Sequence, residues 1–156
     1  MSKKNKFETN AIHVGNKPDP STGSISPPIH LTSTYIQDGI GKNKGFDYSR
    51  GTNPTRERLE KNIASLEGGY DAIAFSSGMA ATTALLQHLK QGDHIIISRN
   101  VYGGTYRMTT QVLSNHGLKF DFVDTTDVQN IKKAIKPETK WVFIETPTTV
   151  SYTHLR

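Results

Sequence analysis

Four short stretches carry residue types able to do chemistry in this 156-residue chain. In FSSGMAA, Ser76-Ser77-Gly78 separates an apolar run from a helix-patterned stretch. The first N–H groups of a helix have no intrahelical acceptor and sit at the positive end of its dipole, so they can hold a phosphate. Gly78 lets a ligand come close to the backbone, and Ser77 adds a hydroxyl. The local sequence fits equally a tight turn that merely needs a small residue. In NVYGGTYR, Tyr102 can lay its ring on a flat heteroaromatic ligand, and Gly103-Gly104 leaves room for one. The alternative is a half-buried tyrosine with a wet hydroxyl. Arg107 can pair with a substrate carboxylate or stand on the surface, as most arginines do. In YSRGTNPTR, Tyr48 and Arg50 precede a capped helix, and the planar guanidinium matches phosphate oxygens. A solvated turn competes with that reading.

Other chemistries find little support. The six histidines (His13, His30, His88, His94, His116 and His154) show no metal-ligand spacing, and the chain has no cysteine. His94, at the start of a strand pattern, reads as structural. No GxGxxG or Walker A pattern occurs, and Ser76 and Ser77 lie outside any G-x-S-x-G elbow.

These stretches must be held by elements. Asn53 is a cap and Pro54 suits the first helical position, after which Leu59, Ile63 and Leu66 share a face until Gly68-Gly69. YDAIAF (70–75) reads as a strand. The helix after it places Met79, Leu85, Leu86 and Leu89 on its apolar face and ends at Gly92. HIIIS (94–98) is a strand whose branched run expects cover on both sheet faces. A helix over roughly residues 104–115 is closed by Gly117, and LKFDFV (118–123) is the third strand. VQNIKKAIK is a helix, and KWVFIE (140–145) is the fourth strand. Alternating strands and helices predict an α/β fold with a mainly parallel sheet. Its ligand crevice lies beyond the carboxyl ends of the strands, at the loops 76–79, 99–104, 124–127 and 145–149.

The first 52 residues read as an extended N-terminal arm, residues 53–148 as part of an α/β domain, and residues 149–156 as a tail. NKPDPSTGSISPPIH holds four prolines and no helical period. Ile29, Leu31, Tyr35 and Ile36 suggest that the arm docks on something.

The formal charge is +5, but only Lys3, Lys4 and Lys6 cluster, so no basic stripe for nucleic acid is expected. No apolar run approaches the ~18 residues needed to span a bilayer, and the N-terminus lacks the apolar stretch of a secretory signal. A cytoplasmic location without a membrane partner is the expectation.

Taken together, ETNAIHVGNKPDPSTGSISPPIHLTSTY, YSRGTNPTRERLEKNIASLEGG, FSSGMAATTALL, NVYGGTYR and KWVFIETPT resemble the Cys/Met-metabolism family of pyridoxal-phosphate enzymes. That family includes cystathionine γ-synthases, cystathionine γ- and β-lyases and methionine γ-lyase. The resemblance implies the N-terminal part of a fold-type I pyridoxal-phosphate transferase large domain, with pyridoxal 5′-phosphate as cofactor and a small amino acid as substrate. It implies that Gly78 and Met79 bond the cofactor phosphate, with Ser77 beside them, and that Tyr102 stacks on the pyridine ring and assists catalysis. Tyr48 and Arg50 would reach the phosphate in a neighbouring subunit, and Arg107 would lie near the substrate. The family forms homotetramers of active-site-sharing dimers.

Cystathionine γ-lyase, splitting cystathionine into cysteine, 2-oxobutanoate and ammonia, is the leading reaction. The γ-synthase and methionine γ-lyase are alternatives, because these motifs serve the shared cofactor. The lysine that holds the cofactor lies further downstream in the family, and none of the thirteen lysines here has its context. Thr149 and Val150 stand where the family has asparagine and proline, so residues 149–156 are expected to be foreign and the stretch inactive by itself. A phosphate- or nucleotide-binding α/β module, or a truncated product without function, are the readings outside enzymology.

Overall fold

Seven residues, Phe7–His13, form the first helix, α1, in the computed structural model, which describes residues 6–148. No side chain caps its start and none of its residues is buried, which is why the sequence carries no signal for it. The second helix, α2 (Pro54–Glu67), is written plainly in its ends. The Asn53 carboxamide oxygen accepts the N–H groups of Thr55 and Arg56, and Gly68 closes the helix at φ +64°, a left-handed conformation natural to glycine.

The chain divides into two units, Met1–Ala74 and Phe75–Arg156. In the first, the irregular segment is bonded to α2 chiefly through polar groups. Asn53 Nδ2 donates to His30 O at 3.2 Å and Ser49 Oγ at 2.9 Å, and Arg58 Nη1 donates to Pro28 O at 2.8 Å. A bridge pairs Thr34 with Tyr48 antiparallel, and the rings of Tyr35 and Phe46 meet at 5.7 Å. Ile29, Leu31 and Ile36 remain exposed. Within this unit hydrogen bonds thus tie the segment to α2, while Tyr35 alone of the four apolar residues is half-buried.

The second unit is an α/β layer. Helix α3 (Gly78–Leu86) leads to the central strand β1 (His94–Ser98). Helix α4 (Gly103–Arg107) continues through a π-helical turn, Met108–Val112, and a 3-10 turn, Leu113–His116. Strand β2 (Lys119–Val123), helix α5 (Val128–Ala134) and strand β3 (Thr139–Phe143) follow. The order is β2-β1-β3 and both pairings are parallel, with His94 opposite Lys119 on one side and Thr139 on the other. All five residues of β1 are buried, as its unbroken branched run requires when both faces are covered. Ile95, Ile97, Leu86 and Leu118 form the core, each such side chain contributing about 1.5–3 kcal/mol.

Two expectations are corrected. Residues 70–75 form no strand. A strand needs a ladder partner, whereas here Ala74 N–H goes to the Glu60 carboxylate at 2.9 Å and Tyr70 is fully exposed. Helix α3 also stops at Leu86 and not near Gly92. The chain turns there through short-range bonds such as His88 N–H to Leu85 O. The widening after Arg107 coincides with Thr109, Thr110 and Ser114, whose hydroxyls return to carbonyls one turn back. No helix among the described residues is long and apolar enough to cross a membrane.

Candidate functional site

Ser77 makes the start of α3 what it is. Its Oγ accepts the Ala80 N–H at 3.1 Å, and its carbonyl accepts the Ala81 N–H at 3.1 Å. The two N–H groups ahead of these, on Gly78 and Met79, are the ones a helix start leaves without intrahelical partners. Ser77 is therefore a cap first, and its hydroxyl proton is still free to be donated.

Tyr102 and Met79, far apart in sequence, converge on Gly104. A Cβ placed on Gly104 would lie 2.5 Å from Tyr102 Cε1 and 3.1 Å from Met79 Sδ. Any side chain at this position would make the ring shift. Thr105 Oγ1 also reaches Met79 Sδ at 3.7 Å, so the starts of α3 and α4 are packed together. The ring stays accessible, since Tyr102 is 41% exposed. Arg107 is exposed too, and its Nη1 would lie 3.4 Å from a Cβ on Gly103.

The carboxyl ends of the three strands surround a cleft of about 570 Å³. Three of the expected rim loops line it: Arg99 and Asn100, Asp124 to Thr126, and Glu145 to Thr148. Ser98 ties the three ends together. Its Oγ lies 2.9 Å from Thr125 Oγ1 and accepts the Glu145 N–H at 3.4 Å. The hydroxyl and N–H of Thr126, both donating to Asp124, hold that carboxyl below its ordinary range, and Arg99 adds attraction. The Thr146–Pro147 peptide is cis.

Tyr48 and Arg50 lie in the first unit and pair with one another, the guanidinium carbon 5.1 Å from the ring centroid. Both are exposed, and Arg50 also lines a cleft of about 510 Å³. His94 is buried at the opposite end of β1 from the cleft, its Nδ1 2.7 Å from Thr139 Oγ1. That agrees with its structural reading. No group of three or more metal-ligating side chains gathers among the described residues. The expected tail, 149–156, lies outside them.

Sequence reasoning names the rim loops, the one that starts at Glu145 included, but passes over Ser98 and gives Glu145 no role of its own. A hydroxyl as the last residue of a buried strand, and a carboxylate just beyond another, were the available signals.

A profile described as "Cys/Met metabolism PLP-dependent enzyme" matches residues 8–155. A cystathionine gamma-lyase of Bacillus subtilis (strain 168) is 48% identical over 143 residues, 92% of this chain and 38% of that protein. A cystathionine beta-lyase of Lactococcus lactis subsp. cremoris is 48% identical over 141 residues, 90% of this chain and 37% of that protein. The crystal structure of cystathionine gamma-lyase from Lactobacillus plantarum complexed with L-serine superposes with a TM-score of 0.85 at 46% identity. It covers 92% of this chain and 38% of that one. The chain thus spans well under half the length of the curated relatives it matches, 36% in one case and 44% in another.

Proposed function

Because the chain belongs to the Cys/Met metabolism PLP-dependent enzyme family, we propose that Gly78 and Met79 hold the phosphate of pyridoxal 5′-phosphate while Tyr102 faces its ring. The convergence of Met79 and Tyr102 on Gly104 carries this reading, because it brings the thioether of a residue in the first turn of α3, where a helix has spare N–H groups, to the same glycine as an accessible aromatic ring. The residues fit the group: donors suit its dianion, and a flat ring suits its pyridine.

Bound there, the cofactor supplies an electron sink for charge developing at the substrate α-carbon. This chain's residues bind and orient. Ser77 keeps the first turn of α3 aimed at the phosphate and adds a donor of its own. Tyr102 fixes the ring plane, and its phenol offers a hydroxyl able to carry a proton at Oη. Arg107 offers a planar fork to a substrate carboxylate. Tyr48 and Arg50 serve the phosphate in a second copy, within a homotetramer built from dimers that share active sites.

For the reaction, γ-elimination of cystathionine is the leading reading, supported by the 48% identity to the Bacillus subtilis gamma-lyase. The matching identity to a beta-lyase keeps neighbouring carbon–sulfur chemistries beside it. The cofactor reading is tested by phosphorus NMR of the 156-residue chain titrated with pyridoxamine 5′-phosphate, whose amine forms no imine with lysine. A saturable shift that Tyr102→Ala weakens at least about tenfold is expected from the loss of base–aromatic stacking. A parent chain giving no saturable shift overturns it. A polypeptide of the relatives' full length carrying these residues decides the reaction: 2-oxobutanoate from cystathionine marks γ-elimination, pyruvate β-elimination.

A further inference from the structure

The loop from β1 to α4 is four residues long: Arg99, Asn100, Val101 and Tyr102. Glu145 touches both of its ends. At the start, the Glu145 backbone N–H donates to the Oγ of Ser98, 3.4 Å away. At the finish, the Glu145 carboxylate accepts the Tyr102 backbone N–H at 3.0 Å through Oε2. Arg99 N–H to Val123 O at 2.7 Å ties the loop's first residue to β2, and Val101 N–H goes back to Ser98 O at 3.2 Å. Among the described residues, the Glu145 bond is what joins Tyr102 to the end of β3.

We propose that Glu145 is the positioning residue for Tyr102: its carboxylate clamps the loop so that the ring settles over Gly104 beside Met79. A hydrogen bond to a charged acceptor is shorter and stronger than a neutral one, so it restrains the Tyr102 backbone N–H directly. The ring packs close to the bare backbone of Gly104, its Cε1 only 2.5 Å from where a Cβ on that residue would stand. The carboxylate holds the backbone from which that ring projects, at the edge of the cleft that Glu145 itself lines. A site held within a fraction of an ångström needs such a supporting contact behind the group that meets the ligand. The value of this clamp to function rests on the reading of Tyr102 as the cofactor-facing residue, but the clamp itself is measurable with no cofactor present.

The experiment uses the 156-residue chain labelled with nitrogen-15, as parent, Glu145→Ala, Glu145→Gln and Glu138→Ala. Glu138 serves as the control because its carboxylate pairs with Lys119 at 3.2 Å, away from this loop. Two readouts are taken: hydrogen exchange of the Tyr102 amide, and the ring-current displacement of the Gly104 α-protons. E145A is expected to speed Tyr102 exchange by at least about tenfold and to move the Gly104 protons toward their unshifted position. E145Q keeps an acceptor oxygen and should restore both, and E138A should change neither. Tyr102 exchange within about twofold of the parent in E145A overturns the proposal, as does an E145Q that behaves like E145A. Failure of the cofactor reading would appear elsewhere, as a parent chain without a phosphorus response to pyridoxamine 5′-phosphate.

Discussion

The side-chain amide of Asn62, on α2, lies 2.9 Å from the carbonyl oxygen of Val14, the residue that ends α1. The same nitrogen is 3.1 Å from Asn10 O, which also accepts the Val14 N–H, and 3.2 Å from Ala11 O, so one carboxamide gathers the end carbonyls of a helix none of whose residues is buried. The last carbonyls of any helix need outside donors, and α1 draws them from a residue some fifty positions away.

Asn62→Ala should therefore release α1 without disturbing β1. The expected cost is about 1–3 kcal/mol for carbonyls left without their donor. Proteolysis and hydrogen exchange confined to residues 7–14 are the measurements, and exchange in β1 should stay as it was.

Asn53 works in two directions at once, capping α2 through its oxygen and holding the segment before it through its nitrogen. Asn53→Ala should cost about 1–2 kcal/mol. Asn53→Asp keeps the cap but turns a donor into an acceptor facing His30 O, so it too should lower the denaturant midpoint. An aspartate variant as stable as the parent would show that the Nδ2 bonds contribute nothing.

Gly104→Ala is the sharpest test of the site. The new Cβ would meet Tyr102 Cε1 at 2.5 Å, which the ring can relieve only by moving. Overpacking of this kind costs about 1–3 kcal/mol. Affinity for pyridoxamine 5′-phosphate in the phosphorus titration should fall about tenfold or more, in line with that cost.

Asp121 answers to pH in a defined window. The Lys136 ammonium, 2.6 Å away, bonds it and holds its carboxyl below the ordinary value, against the opposing effect of burial; His94 also faces it. A depressed carboxyl stabilises the fold above its unfolded pKa of about 3.9 and loses that contribution as pH falls through the folded value. Both partners are more than a third exposed, so screening limits the pair to about 0.5–1 kcal/mol. Lys136→Met should lower stability by that amount near neutrality. The difference from the parent should shrink and vanish as pH falls below the ordinary carboxyl value and through the depressed one, read from urea unfolding at several pH values.

Much of this protein was settled by residues acting locally. Asn53-Pro54 starts α2 and Gly68 ends it, because capping and left-handed backbone are properties of single residues and their nearest neighbours. Ile95-Ile96-Ile97 declares a strand covered on both faces, and the five motifs declare the family. What only the folded chain decided were matters of partnership. Residues 70–75 carry a strand pattern but find no ladder partner among the described residues, and α1 forms where no pattern announces it, with Asn62 bonded to its last carbonyls. Glu145 meets Tyr102 across forty-three positions for the same reason. A hydrogen bond is specified by where two groups end up in space, and sequence spacing encodes that only for groups within a turn or two of each other.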